Sequence, residues 1–193
     1  MHALPAAPAP PPSRQIFVGT ALAGVAAVML VGGMLAVWIL QRERAIDAGG
    51  TWLPDGITIP EVPANVMLIG VWGMCVFAQW ASWSARRADR AHTGLALGIV
   101  AVMTVALINA QAYVYTQMGV TVTDETGYGA MFYAVTGTVI ALFIVGLGFT
   151  GVAAFRFLGG RTADREIVAA HALYWYVLAA VFSAVWLIVY VTK

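Results

Sequence analysis

Five long apolar runs constrain what this chain can become: Ile16–Leu40, Ala64 to about Ser84, Gly94 to about Met118, Gly127 to about Phe155, and Ile167–Val191. Each is long enough to cross a bilayer as a helix, since about 20 apolar residues span the hydrocarbon. The spacing therefore predicts an all-α, polytopic membrane protein, a bundle of five transmembrane helices over residues 16–193. Composition agrees. The chain is 61% hydrophobic and 10% charged, against about 25% charged in soluble proteins. Too little polar surface remains to cover a water-exposed body, so the surrounding solvent is lipid.

A net charge of +1 argues against nucleic acid as a partner, because neutralising phosphates needs a clustered Lys/Arg excess. Cys75 is the single cysteine, which excludes an internal disulfide and a multi-cysteine metal site. Inside an apolar run it reads as a small buried hydrophobe.

Residues 1–15 form a Pro/Ala tract without apolar periodicity, expected to be a disordered tail. A signal peptide fits poorly, because the run that follows is too long and ends in Gln41-Arg42-Glu43-Arg44 rather than a cleavage site. Between the first two runs, Gly49-Gly50, Trp52, Pro54, Asp55-Gly56, Pro60 and Pro63 mark a loop. With five spans, one side of the membrane receives Arg14, Arg86, Arg87, Arg90, Arg156, Arg161 and Arg165. The other receives Arg42, Arg44 and Lys193 among most of the acids. The positive-inside rule then places the N-terminus in the cytoplasm and the C-terminus outside.

Small residues recur on the first run (Gly19, Ala23, Ala27, then Gly32 and Gly33), and the third opens with Gly94 and Gly98. Such faces permit close helix contact in lipid. The glycines of the fourth run, Gly129 and Gly137, are expected to let a neighbouring helix approach closely. Trp38 is expected at the far interface. The tyrosines near helix ends, Tyr113, Tyr115, Tyr128, Tyr133, Tyr174, Tyr176 and Tyr190, read mostly as an aromatic belt. Met29, Met34, Met67, Met74 and Met103 read as packing.

No Asp, Glu, Lys, Arg or His stands mid-helix, although such groups mark most ion pathways. Haem would need axial ligands. His2 lies in the tail, and His92 and His171 read as solvated end residues. Asn109 and Gln111 are the most polar groups within a run and read as interhelical hydrogen-bonding groups. Nucleophile–base pairs, phosphate loops and carboxylate dyads do not stand out, so catalytic, cofactor-binding and metal residues are all expected to be absent.

The fourth run carries the most specific pattern. Tyr128-Gly129, Phe132-Tyr133 and Thr136-Gly137 resemble the Y-G-x-x-F-Y-x-x-T-G pattern of subunit III of the haem-copper (cytochrome c) oxidases in its short five-helix bacterial form. The likeness continues in order along the chain. Gly19-Thr20, Met29 and Gly33 fall at matching positions of the first helix. Gly49-Gly50, Trp52 and Pro54 resemble the family's Gly-Gly-x-Trp-Pro loop. Gln111-Ala112-Tyr113-Val114-Tyr115 resembles Q-x-x-E-Y, and Tyr174-Trp175 and Tyr190 match the final helix. The departures are consistent too. Ala27 stands for the glutamate of the first helix, Val114 for that of the third, Val139 and Leu142 for a histidine pair, and Tyr176 and Ala179 for a His and an Asp.

The resemblance implies a subunit without a redox centre, packed against catalytic subunit I and other subunits of a terminal respiratory oxidase in a bacterial inner membrane. It implies haem and copper in those partners, none in this chain, and a structural phospholipid among the membrane lipids around it. It also implies protection of the catalytic subunit and its proton uptake, with the chain either a divergent subunit III or a paralogue attached to a variant oxidase or nitric oxide reductase. The alternatives are a membrane subunit of a transporter or small permease, and a haem-binding cytochrome resting on His92 and His171.

Overall fold

The computed structural model of the chain describes residues 14–123, 127–161 and 165–192. Most of the proline-rich tail, including His2, lies outside them, as do Asp124, Glu125 and Lys193. Uninterrupted apolar sequence satisfies its backbone internally by coiling, and five helices result: α1 (Gln15–Asp47), α2 (Glu61–Arg86), α3 (Arg90–Met118), α4 (Tyr128–Leu158) and α5 (Arg165–Val185). α5 continues through a π-helical stretch, Trp186–Val191. All five are long and apolar enough to cross a membrane. This is a multi-pass helical membrane protein.

The helices outrun the apolar segments at several ends. α1 continues to Asp47 and carries Arg42 and Arg44 out of the hydrocarbon as helix. α2 begins at Glu61, so Pro63 lies within its first turn and is no loop residue. The first N–H groups of a helix have no intrahelical acceptor, so proline costs nothing there. α3 ends at Gly119, whose left-handed φ of 59° lets its N–H close on the Tyr115 carbonyl.

α2 and α3 are joined by a tight turn in which Ala88 itself adopts a left-handed φ of 58°. Asp89 then caps α3: one carboxylate oxygen accepts the His92 backbone N–H at 3.1 Å, and the other lies 2.6 Å from His92 Nδ1. These bonds, the backbone one first, hold the Asp89 carboxyl below its ordinary value of 3.8. The sign follows. A depressed carboxylate stabilises the fold above its unfolded value, and that contribution is lost as pH falls through and below the ordinary carboxylate range. Amide exchange at Ala91 to Thr93 should therefore accelerate on acidification in the native chain and lose this acid-dependent step in Asp89→Asn. Equal pH profiles for the two would refute the cap's titration.

α5 is the hub. α2 and α1 pack along it, α4 crosses it, and α3 bridges α2 to α4. α1 is the least covered helix, with only Gly24, Val31, Leu35 and Trp38 buried. Its outward face, including Leu22, Val25 and Met29, is exposed. Met29 is 72% exposed, so it packs against nothing within the chain. Met67 and Met74 are fully buried.

Candidate functional site

Two polar knots set in aromatic surroundings hold the bundle together, the first built on residues the sequence singles out. The first centres on Phe132. Its ring lies 5.8 Å from Tyr115 and Tyr128, 5.7 Å from Tyr133 and 6.2 Å from Tyr190. One aromatic group thus joins α3, α4 and the end of α5. Hydroxyls inside a bilayer need acceptors, and those of Tyr190, Tyr133 and Tyr115 find them. Tyr190 donates to Gln111 Oε1 at 2.8 Å, and Tyr133 donates to the Val120 carbonyl at 2.9 Å. Thr136 donates to its own helix at Phe132 O, so Tyr115 must be the donor in the 2.8 Å contact between Tyr115 and Thr136. Gln111 is therefore an interhelical hydrogen-bonding group. Asn109 and Tyr113 face outward.

Beside this group, the loop after α1 folds back to bring Trp52 edge-on to Trp38 at 5.2 Å, and both rings meet Tyr128. Trp38 is completely buried. It is a core residue. The belt reading fails likewise for Tyr128, Tyr174 and Tyr190, all buried. Helix-end aromatics point inward here because loops and neighbouring helix ends cover them. Gly129 sits against the preceding loop, where a Cβ would run into the Thr121 carbonyl oxygen. Its close approach is to a loop. Gly137 has nothing within 4 Å of such an atom, so neither glycine admits a helix.

The second knot lies between α4 and α5. His171 is fully buried, which corrects its reading as a solvated end residue: the N-terminal turns of α5 are enclosed by α2, α3 and α4. The Trp175 indole N–H donates to His171 Nε2 at 2.9 Å, while Thr150 Oγ1, itself donating to Gly146 O, lies 2.8 Å away. An indole N–H can only donate, so Nε2 accepts and the ring proton sits on Nδ1. Tyr174 donates to the Leu142 carbonyl at 2.6 Å, and Cys75 Sγ approaches the Trp175 carbonyl at 3.4 Å. The helices can meet here because residue 146 is glycine. A Cβ there would lie 2.7 Å from Trp175 Cη2 and 2.8 Å from Tyr174 Cε1.

His92 is bonded to Asp89 at the surface and His171 to Trp175 in the core, so each imidazole already has a protein partner. Among the described residues, no three His, Cys, Asp or Glu side chains gather as a metal site. Buried polar side chains among those residues are Ser, Thr, Gln and His171, without a carboxylate, lysine or arginine.

The small-residue faces divide. Gly94 lies 3.2 Å from Leu158 by its would-be Cβ, whereas Gly19, Gly32, Gly33 and Gly98 have nothing within 4 Å. Gly98 instead lines an apolar hollow of about 530 Å³ on the outside of α3. Apart from Gly94, these glycines do not pack helices of this chain together. The sequence profile of cytochrome c oxidase subunit III matches residues 15–193. The chain belongs to the cytochrome c oxidase subunit III family. None of the curated proteins compared with it matches.

Family membership makes sense of the two knots. Gln111, Tyr115, Tyr128, Phe132, Tyr133, Thr136 and Tyr190 are one spatial group in this subunit III chain, and Tyr174 and Trp175 belong to the other. Gly146, Gly24 and the Trp38–Trp52 contact escape sequence reasoning, and His171 is misread by it. The signals were slight: an i, i+4 His–Trp pair, a Gly-x-Gly within α4, and a tryptophan in a Gly/Pro loop. Gly24 meets Val177 at 3.2 Å and is the close α1–α5 contact that Gly19 and Gly33 are not.

Proposed function

We propose that this subunit III chain is a non-catalytic, stabilising subunit of a terminal respiratory oxidase, packed against the haem-bearing catalytic subunit in the cell membrane. The observation that carries the reading is the division of its surfaces. The interior is closed by two hydrogen-bonded polar knots, with no buried carboxylate, lysine or arginine among the described residues, while Gly19, Gly32 and Gly33 of α1 and Gly98 of α3 have nothing within 4 Å of a would-be Cβ. Three of the six positions where the family resemblance would place ionisable groups, Val114, Val139 and Ala179, are buried and apolar. That supports a packing role in place of one in proton transfer. The arginine-bearing ends are assigned to the cytoplasm by the positive-inside rule.

The test is a tagged pull-down in mild detergent with a reduced-minus-oxidised spectrum of the eluate. Haem bands on a larger co-purifying chain are the expected result. Gly98→Leu should leave the melting temperature of the chain unchanged, since no neighbour lies within 4 Å, and should reduce the co-purified haem severalfold. A colourless eluate from the native chain would sink the subunit reading. Undiminished haem with Gly98→Leu would remove the α3 face from the interface.

A further inference from the structure

A furrow runs down the bundle between α1 and α2, which both lie along α5 but scarcely touch each other. A strip of α5 and its π-helical end stays uncovered there: Ala169, Leu173, Tyr176, Ala180, Ser183 and Leu187 are half-buried or exposed. They advance by four and three residues in alternation, the 3.5-residue period with which one helix seats against another at a shallow angle. Ala169, Ala180 and Ser183 keep the floor low, and small residues are what let a second backbone come close in lipid.

Polar groups of α2 edge this furrow at two depths. Arg86 stands at its arginine-rich end, in a hollow of about 230 Å³ shared with Phe17 of α1 and Tyr176 of α5. It forms no ion pair among the described residues. Glu166, the acid at the start of α5, accepts the Phe17 N–H, and the neighbouring Arg87 lies over the Trp83 ring at 3.6 Å. Gln79 lines the same hollow two turns deeper, about 10 Å along the axis at 1.5 Å per residue. That is past the roughly 5–7 Å of headgroup zone on each face of a bilayer.

Gln79 is exposed and has no hydrogen-bond partner among the described residues. A carboxamide left facing hydrocarbon is costly. Further along, Val28 and Gly32 of α1 with Ala180 and Ala184 of α5 line an apolar hollow of about 170 Å³. An acyl chain would fill that hollow but offers nothing to Gln79. A helix with the right side chain at each depth answers the cation, the carboxamide and the apolar hollow together.

We infer that the furrow seats one transmembrane helix of a partner subunit. That helix carries an Asp or Glu against Arg86, an Asn, Gln, Ser or Thr against Gln79, and an apolar side chain in the hollow at Ala180 and Ala184. Charge complementarity sets its orientation, because the acid must stand at the arginine-bearing end, and the bond to Gln79 sets its depth. The inference rests on the reading of this chain as a subunit of a larger assembly, and adds the place and the chemistry of one contact.

The test places the photoreactive residue p-benzoylphenylalanine in place of Val28, an exposed residue on the furrow's rim, and irradiates the full assembly in native membranes. The chain should be joined to a larger polypeptide, and peptide mass spectrometry should map the adduct to one span. That span should carry an acid near one end and a carboxamide or hydroxyl about two turns inward. Arg86→Gln and Gln79→Leu should each lower the adduct yield about two- to fivefold. Ala180→Phe fills the floor at an exposed position, so it should nearly abolish the adduct and leave the melting temperature of the isolated chain unchanged. Arg86→Glu combined with arginine in place of the mapped acid should restore the yield. Adducts of lipid alone, a product with the mass of two copies of this chain, or a yield indifferent to both Arg86→Gln and Ala180→Phe would overturn the inference. The haem spectrum of the purified sample separates the two readings. Haem without the adduct removes the furrow site alone, whereas neither haem nor adduct removes the subunit reading with it.

Discussion

Phe132→Ala should destabilise the subunit by about 3–5 kcal/mol, the cost of emptying a fully buried aromatic site. The ring is completely enclosed and meets four other rings from three helices. Alanine would leave a void that the rigid phenols around it cannot fill, since Tyr190, Tyr133 and Tyr115 are each held by a hydrogen bond at the far end. Thermal unfolding in detergent, followed by near-ultraviolet circular dichroism, reads the loss. The tyrosine signal should fall more than the helical signal, because the helices survive on their own backbone bonds. A variant melting with the native chain would show that this cluster is not a packed core.

Gly146→Leu should destabilise the subunit by more than the roughly 1–3 kcal/mol typical of over-packing. Even a methyl group would lie under 3 Å from both Trp175 and Tyr174. Neither ring can yield without breaking a bond: Trp175 donates to His171, and Tyr174 donates to Leu142 O. The expected outcome is an α4–α5 pair forced apart, seen as a chain that aggregates on detergent extraction or melts far below the native one. Gly137→Leu is the matched control on the same helix, with open space where the Cβ would go, and it should behave as the native chain. If the two variants behaved alike, the α4–α5 contact would not be what glycine at 146 protects.

The contrast between these glycines shows how far the sequence could be read. Gly129 and Gly137 stand in a recognisable family pattern, yet one faces a loop and the other open space. Gly146, outside that pattern, is where two helices touch. A glycine's spacing places it on a helix face without saying what stands opposite. The aromatics show the same limit. Helix-end tyrosines and Trp38 fit an interfacial belt by position, but burial depends on whether a loop folds back over them, and Trp52 does so. His171 looked solvated because six residues from a helix start is near water in a lone helix. In this bundle the neighbouring helix ends enclose it.

By itself the sequence determined five membrane-crossing helices, a charge-free hydrocarbon interior and membership of the subunit III family. Hydrophobic length, the cost of charge in lipid and an ordered set of motifs are properties of the chain taken one segment at a time. Tertiary structure alone decided which small residues face another helix and which face outward. It alone gathered Gln111, Tyr115, Thr136 and Tyr190 into one knot and His171, Thr150 and Trp175 into another. Those are relations between segments far apart in sequence, and in lipid they are set by packing and hydrogen bonding at each crossing, which no single segment encodes.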